Sequence, residues 1–191
     1  MSKANKQALL SPENYIKTKA RSLPINKCYI NDDWEVTGLA NIIVMRRHSN
    51  QNVTYGIYLV DLLCLGVKDS FYHFNQDEDT LSGYITNGFY NFVTIDYALA
   101  HNIIYGALAF ASEHGFDPSK GWKLCQYLLE EDDELIPMID IEFGKNERPI
   151  YIAGPNDDDI RIKSITNTLK RTAGEGNYEV IMGERYDELE E

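Results

Sequence analysis

No run of apolar residues in this chain of 191 residues is long enough to cross a bilayer, because the longest, YLVDLLCLGV, is broken by Asp61 and spanning takes about 20 residues. Cysteine is scarce as well. Cys28, Cys64 and Cys125 are odd in number, far apart and flanked by apolar or aromatic neighbours, so neither a disulfide framework nor a CxxC zinc clamp is written here. The opening MSKANKQALLSPENY lacks the apolar core of a secretory leader, and a reducing cytoplasm is the expected address. There is no GxxxxGK followed by Ser or Thr, no strand-linked GxGxxG and no GxSxG. The usual cradle for nucleotide phosphates and the usual setting of a nucleophilic serine are therefore missing. TAGEGN has the glycines of a phosphate loop without the helix that must follow it. The acidic clusters Asp77–Asp79, Glu130–Glu134 and Asp157–Asp159 do not follow EF-hand spacing. Repeats and low-complexity linkers are also absent, which leaves no sign of a second domain.

What is present is core material and negative charge. Hydrophobic residues make up 43%, with 13 Tyr and 7 Phe, and a chain of this size buries roughly 70% of its unfolded surface on folding. Against 18 basic residues stand 30 acidic ones, a net charge of −12. Residues 1–27 hold six basic residues against Glu13, a net +5, which leaves −17 for residues 28–191. Such a body repels phosphate backbones within a Debye length of roughly 8 Å, so nucleic acid is an expected partner only through the basic arm. The arm reads first as a solubilising terminus. A basic protein partner suits the body, including one that takes the acidic loops as a mimic of DNA charge.

Local signals predict most elements. Ser11, Pro12 and Glu13 open a short helix over 11–21. LANIIVMRRH reads as a strand, SNQN as a turn, and VTYGIYLVDLLCLGV as a strand covered on both faces, giving a hairpin from 39 to about 67. Residues 77–91 read as an irregular connection with one short helical turn. Thr94 is the expected cap of a helix over 95–114 closed by Gly115, and a second helix is expected over 119–131 with the acids past its end. MIDIEFG alternates as a half-exposed strand and pairs with IYIAG in a second hairpin. Asp157–Asp159 start a helix over about 160–173, and NYEVIMG is an edge strand. The expected fold is α+β, a single domain with a mostly antiparallel sheet built from two β-hairpins packed against two to four helices. It comprises a basic arm over 1–27, a globular domain over 28–183 and an acidic tail over 184–191.

YLVDLLCLGVKDSFY draws attention first. Asp61 shares a strand face with Ile57, Leu59 and Leu63, and a desolvated carboxylate needs a partner or a raised pKa. Its structural reading is a loop anchor held by an ion pair or backbone hydrogen bonds. Its functional reading is a general base or metal ligand, with Lys68 beside it and His101 brought across by the helix. His101 equally reads as a half-buried histidine bonded to a carboxylate or carbonyl. IDIEFGK brings Asp140 and Glu142 to one face, as in nucleases that hold Mg²⁺ or Mn²⁺ on two carboxylates, but Glu142 and Lys145 are three apart where that pattern needs two. An alternation of this kind is also that of a solvated sheet face.

The order of ARSLPINKCYINDDWEVTGLANIIV, GIYLVDLLCLGVKDSFY and IEFGKNERPIYIAGP, spanning most of residues 19–175, resembles a family of uncharacterised bacterial proteins. The resemblance implies a bacterial source and an accessory role, and carries no site residue or cofactor with it. The leading expectation is a non-enzymatic interaction module, without cofactor, that presents acidic loops to a protein partner. The alternative is a divalent-metal-dependent hydrolase or nuclease using Asp61, His101, Asp140 and Glu142.

Overall fold

The computed structural model describes residues 10–183. Its elements are α1 (Pro12–Lys19), β1 (Ile25–Asn31), α2 (Trp34–Thr37), β2 (Leu39–Arg47), β3 (Val53–Asp61), β4 (Gly66–Gln76), α3 (Glu78–Asn87), β5 (Phe92–Ile95), α4 (Tyr97–Glu113), α5 (Trp122–Cys125), β6 (Ile150–Ala153), α6 (Asp159–Thr172) and β7 (Glu179–Met182). The fold is α+β, as the local patterns predict. Strands β1 to β4 run as a meander and β5 returns to pair with β1, giving an antiparallel sheet in the order β4-β3-β2-β1-β5.

Reaching β5 from β4 means crossing the whole sheet, and α3 makes that crossing. Its Leu81 packs on Ile43, Met45, Val53, Tyr55 and Ile57. Alternate residues of the same strands point the other way. Ile42, Val44, Tyr58 and Val60 pack against Ala100, Ile103, Ile104 and Ala107 of α4. Both faces of β2 and β3 are therefore buried, which explains why their sequences are apolar at odd and even positions alike. Ser11 caps α1 by accepting from the Asn14 N–H, and Asp158 caps α6 by accepting from the Arg161 N–H. The cap of α4 is Asp96, two residues beyond the expected Thr94.

Several expectations need correction. The long apolar strand does not run to residue 67, because the chain turns over Leu62–Leu65 and Lys68 and Asp69 belong to β4. Residues 77–91 hold a ten-residue helix, α3. The boundary drawn at residue 27 falls inside β1, and Ile16 and Ala20 pack on Leu128, so residues 12–27 belong to the folded body. Residues 1–9 of the arm and the tail 184–191 lie outside the described residues.

The second hairpin does not form. Residues 137–143 keep a two-residue alternation, but their hydrogen bonds go elsewhere. The Asn102 side chain of α4 donates to Pro137 O at 3.0 Å and accepts from Ile139 N at 3.1 Å. An extended segment satisfied by a helix side chain has no need of a strand partner. Only a tight Lys145–Arg148 turn remains of the hairpin. Strand β6 instead pairs in parallel with β7 as a separate two-stranded sheet, whose inner face, with α6, forms a cluster around Cys64, Tyr151, Ile165 and Leu169.

Candidate partner-docking groove

Asp61 ends β3 and is 8% exposed. Its Oδ1 accepts from the N–H groups of Leu63 at 2.9 Å and Cys64 at 3.1 Å, which folds the chain into the turn that leads to β4. Gly66 closes that turn with φ +64, a conformation few residues with a Cβ adopt. Burial pushes the Asp61 carboxyl above its ordinary range, and the Lys68 ammonium and the backbone N–H groups oppose that rise. The turn holds more than itself. Leu62 O accepts from Gly144 N and Leu63 O from Ile150 N, both at 2.9 Å, so the segment that carries β6 hangs from two carbonyls aimed by the Asp61 turn. This is the anchoring role open to Asp61 in the sequence.

His101 lies in different company. It is 2% exposed on α4, between the rings of Tyr97 and Tyr105, and its Nε2 has no hydrogen-bond partner among the described residues. Burial lowers its pKa, and the charges of Asp132 and Asp133 act the other way. The flanking tyrosines clamp the start of the acidic run: Tyr97 Oη accepts from Glu130 N at 2.7 Å and Tyr105 Oη donates to Glu130 O at 3.2 Å. From the sheet side the buried Arg46 donates to Leu128 O, Leu23 O and Glu130 Oε1. The group that acts on Asp61 is Lys68, and the groups around His101 are tyrosines and acids. Asp140 and Glu142 are exposed on the segment after Pro137, where Glu142 accepts from Asn146 N. Among the described residues no three His, Cys, Asp or Glu side chains are placed together to hold a metal ion.

Asp140 and Glu142 instead rim a groove of about 690 Å³. Its floor is the Leu62–Leu63 turn, one wall is Trp34 and Val36 of α2, and the other is Ile139, Ile141, Ile152 and Ile181. Glu35 adds a third acid to the rim, with Lys145 its basic member. Val36 is 91% exposed, and Ile139, Ile152 and Ile181 are also exposed. Apolar side chains gathered on an open surface within a charged rim are an arrangement common at interaction sites. The two acids were legible in the sequence, but the wall was not. Trp34 and Val36 are apolar residues in the polar stretch DDWEVTG, and they are its local signal.

The three thiols offer no chemistry at the surface. All are free and buried, and burial pushes Cys28 to about 12 and Cys125 to about 11, with Cys64 also raised. A thiol with so little thiolate at neutral pH is inert. Among the described residues no helix is long and apolar enough to cross a membrane. Comparison with protein-family models, with curated proteins and with solved structures finds no match to this chain.

Proposed function

We propose that the chain is a non-enzymatic interaction module of accessory type, and that its groove takes up a segment of a protein partner that is basic at its ends and apolar between them. The observation that carries this reading is the gathering of exposed Val36, Ile139, Ile152 and Ile181 in one groove rimmed by Glu35, Asp140 and Glu142. Apolar contact supplies affinity at such a surface, and the like charges on the rim select the partner and speed its approach. The net charge of −12 extends that attraction.

Trp34 lines the groove and Trp122 does not, so a Trp122→Phe background gives a fluorescence signal specific to the site. Titration with the peptide KKVTVTKK is expected to change Trp34 emission and to saturate, with affinity falling as salt is raised. KKSTSTKK and EEVTVTEE are expected to leave it unchanged. Binding of KKVTVTKK that survives both Ile139→Lys and Val36→Lys, or equal binding of the acidic peptide, would refute the reading.

A further inference from the structure

Ile181 carries β7 into the lining of the groove, and the other side of β7 is a strand edge. Strand β7 pairs with β6 alone among the described residues. Glu179 N donates to Pro149 O at 3.0 Å, and a strand turns successive backbone groups to opposite sides. Glu179 and Ile181 therefore bond β6, while the N–H and C=O of Val180 and Met182 face outward. An edge of this kind is a template for another strand. The side chains on it are suited to the same end, since Ile181 lies opposite Ile152 in the β6–β7 register and both line the groove.

Resting on the groove as the functional surface, we infer that the partner segment binds as an extended strand, adding to the β7 edge as the third strand of the β6–β7 sheet. The backbone of the partner bonds Val180 and Met182, alternate apolar side chains lie beside Ile181 and extend the face it shares with Ile152, and a flanking basic residue reaches Glu179. Main-chain pairing of this kind gives affinity and the pockets for alternate side chains give specificity. A second copy of this chain is the wrong occupant by charge. Two β7 edges brought together would bring two acidic surfaces against each other, in a protein already at −12, and like charges repel.

Met182→Pro tests this without disturbing the groove wall. Met182 is exposed at 55% and its N–H faces away from β6, so proline is tolerated there and only the outer edge is blocked. With KKVTVTKK as the probe and the full chain as the receptor, M182P is expected to weaken binding about tenfold, since it removes an intermolecular backbone bond and sets a ring against the incoming strand. An unchanged melting temperature shows that the variant is folded. In the wild type the amide signals of Val180 and Met182 are expected to shift and gain exchange protection on titration. Full-strength binding by M182P together with loss of binding by Ile139→Lys overturns the strand geometry and leaves groove docking standing. Retention by both variants overturns groove docking as well. Sedimentation that shows a dimer of the free protein, abolished in M182P, overturns the basic partner in favour of a second copy.

Discussion

Replacing Asp61 separates an anchor from a catalytic group. In Asp61→Ala the N–H groups of Leu63 and Cys64 lose their acceptor, and each donor buried without a partner costs about 1–3 kcal/mol. Part of that is returned because a carboxylate 8% exposed is no longer desolvated. A net loss of about 2–4 kcal/mol follows, which lowers the melting temperature of a chain of this size by roughly 5–12 °C. Asp61→Asn keeps an oxygen at the Oδ1 position and removes the buried charge, so it is expected to stay within about 1 kcal/mol of the wild type. Urea unfolding followed by circular dichroism gives both values. Because Leu62 and Leu63 also hold Gly144 and Ile150, amide exchange over residues 143–153 should rise in the alanine variant and not in the asparagine variant. An alanine variant as stable as the wild type, or an asparagine variant damaged as badly as alanine, refutes the anchoring role.

Three further outcomes test other parts of the fold. At Gly121 an added Cβ lies 1.8 Å from Ser70 O, a backbone atom of β4, so Gly121→Ala should destabilise by about 3 kcal/mol in urea unfolding although alanine favours helix. His101 has a folded pKa below its ordinary 6.5, so near that pH the unfolded chain binds a proton that the folded chain refuses. Its contribution is complete above pH 6.5 and is lost as pH falls from there toward the folded value. The stability difference between wild type and His101→Gln, measured from about pH 5 to pH 8, should shrink toward the acid end with a slope of at most about 1.4 kcal/mol per unit. A flat difference contradicts this burial. The three cysteines should resist a thiol-reactive dye in the folded protein and all react in denaturant. Rapid labelling of any one under native conditions would show that its neighbourhood opens.

The elements that declared themselves in sequence are those with local instructions. Ser11-Pro12-Glu13 at α1, the Asp158 cap at α6 and the apolar β2 and β3 needed no distant partner to be recognised. The turn after Asp61 was hidden because Leu62, Cys64 and Leu65 are buried and apolar like the strand before them. What makes it a turn is one carboxylate oxygen and a glycine, and neither interrupts the hydrophobic pattern. Residues 138–143 carry a true strand alternation, yet a helix side chain, Asn102, takes the hydrogen bonds a neighbouring strand would have taken. Partner choice of that kind is not encoded locally. The parallel pairing of β6 with β7 is non-local for the same reason, since α6 lies between them in the chain. Of the candidate site the sequence showed Asp140 and Glu142, as the solvated face of a strand or, in the alternative, as ligands of a metal. The groove is not legible locally because Val36, Ile152 and Ile181 come from three distant segments and meet only in the folded protein.

Hydrogen–deuterium exchange of the full chain with and without KKVTVTKK addresses the proposed docking surface directly. Protection is expected over residues 34–37, 139–144 and 179–182, with the α4 and α6 cores unchanged. Protection confined to a different face, or no protection at a peptide concentration that saturates the Trp34 signal, would contradict the assignment of this groove as the place where a partner binds.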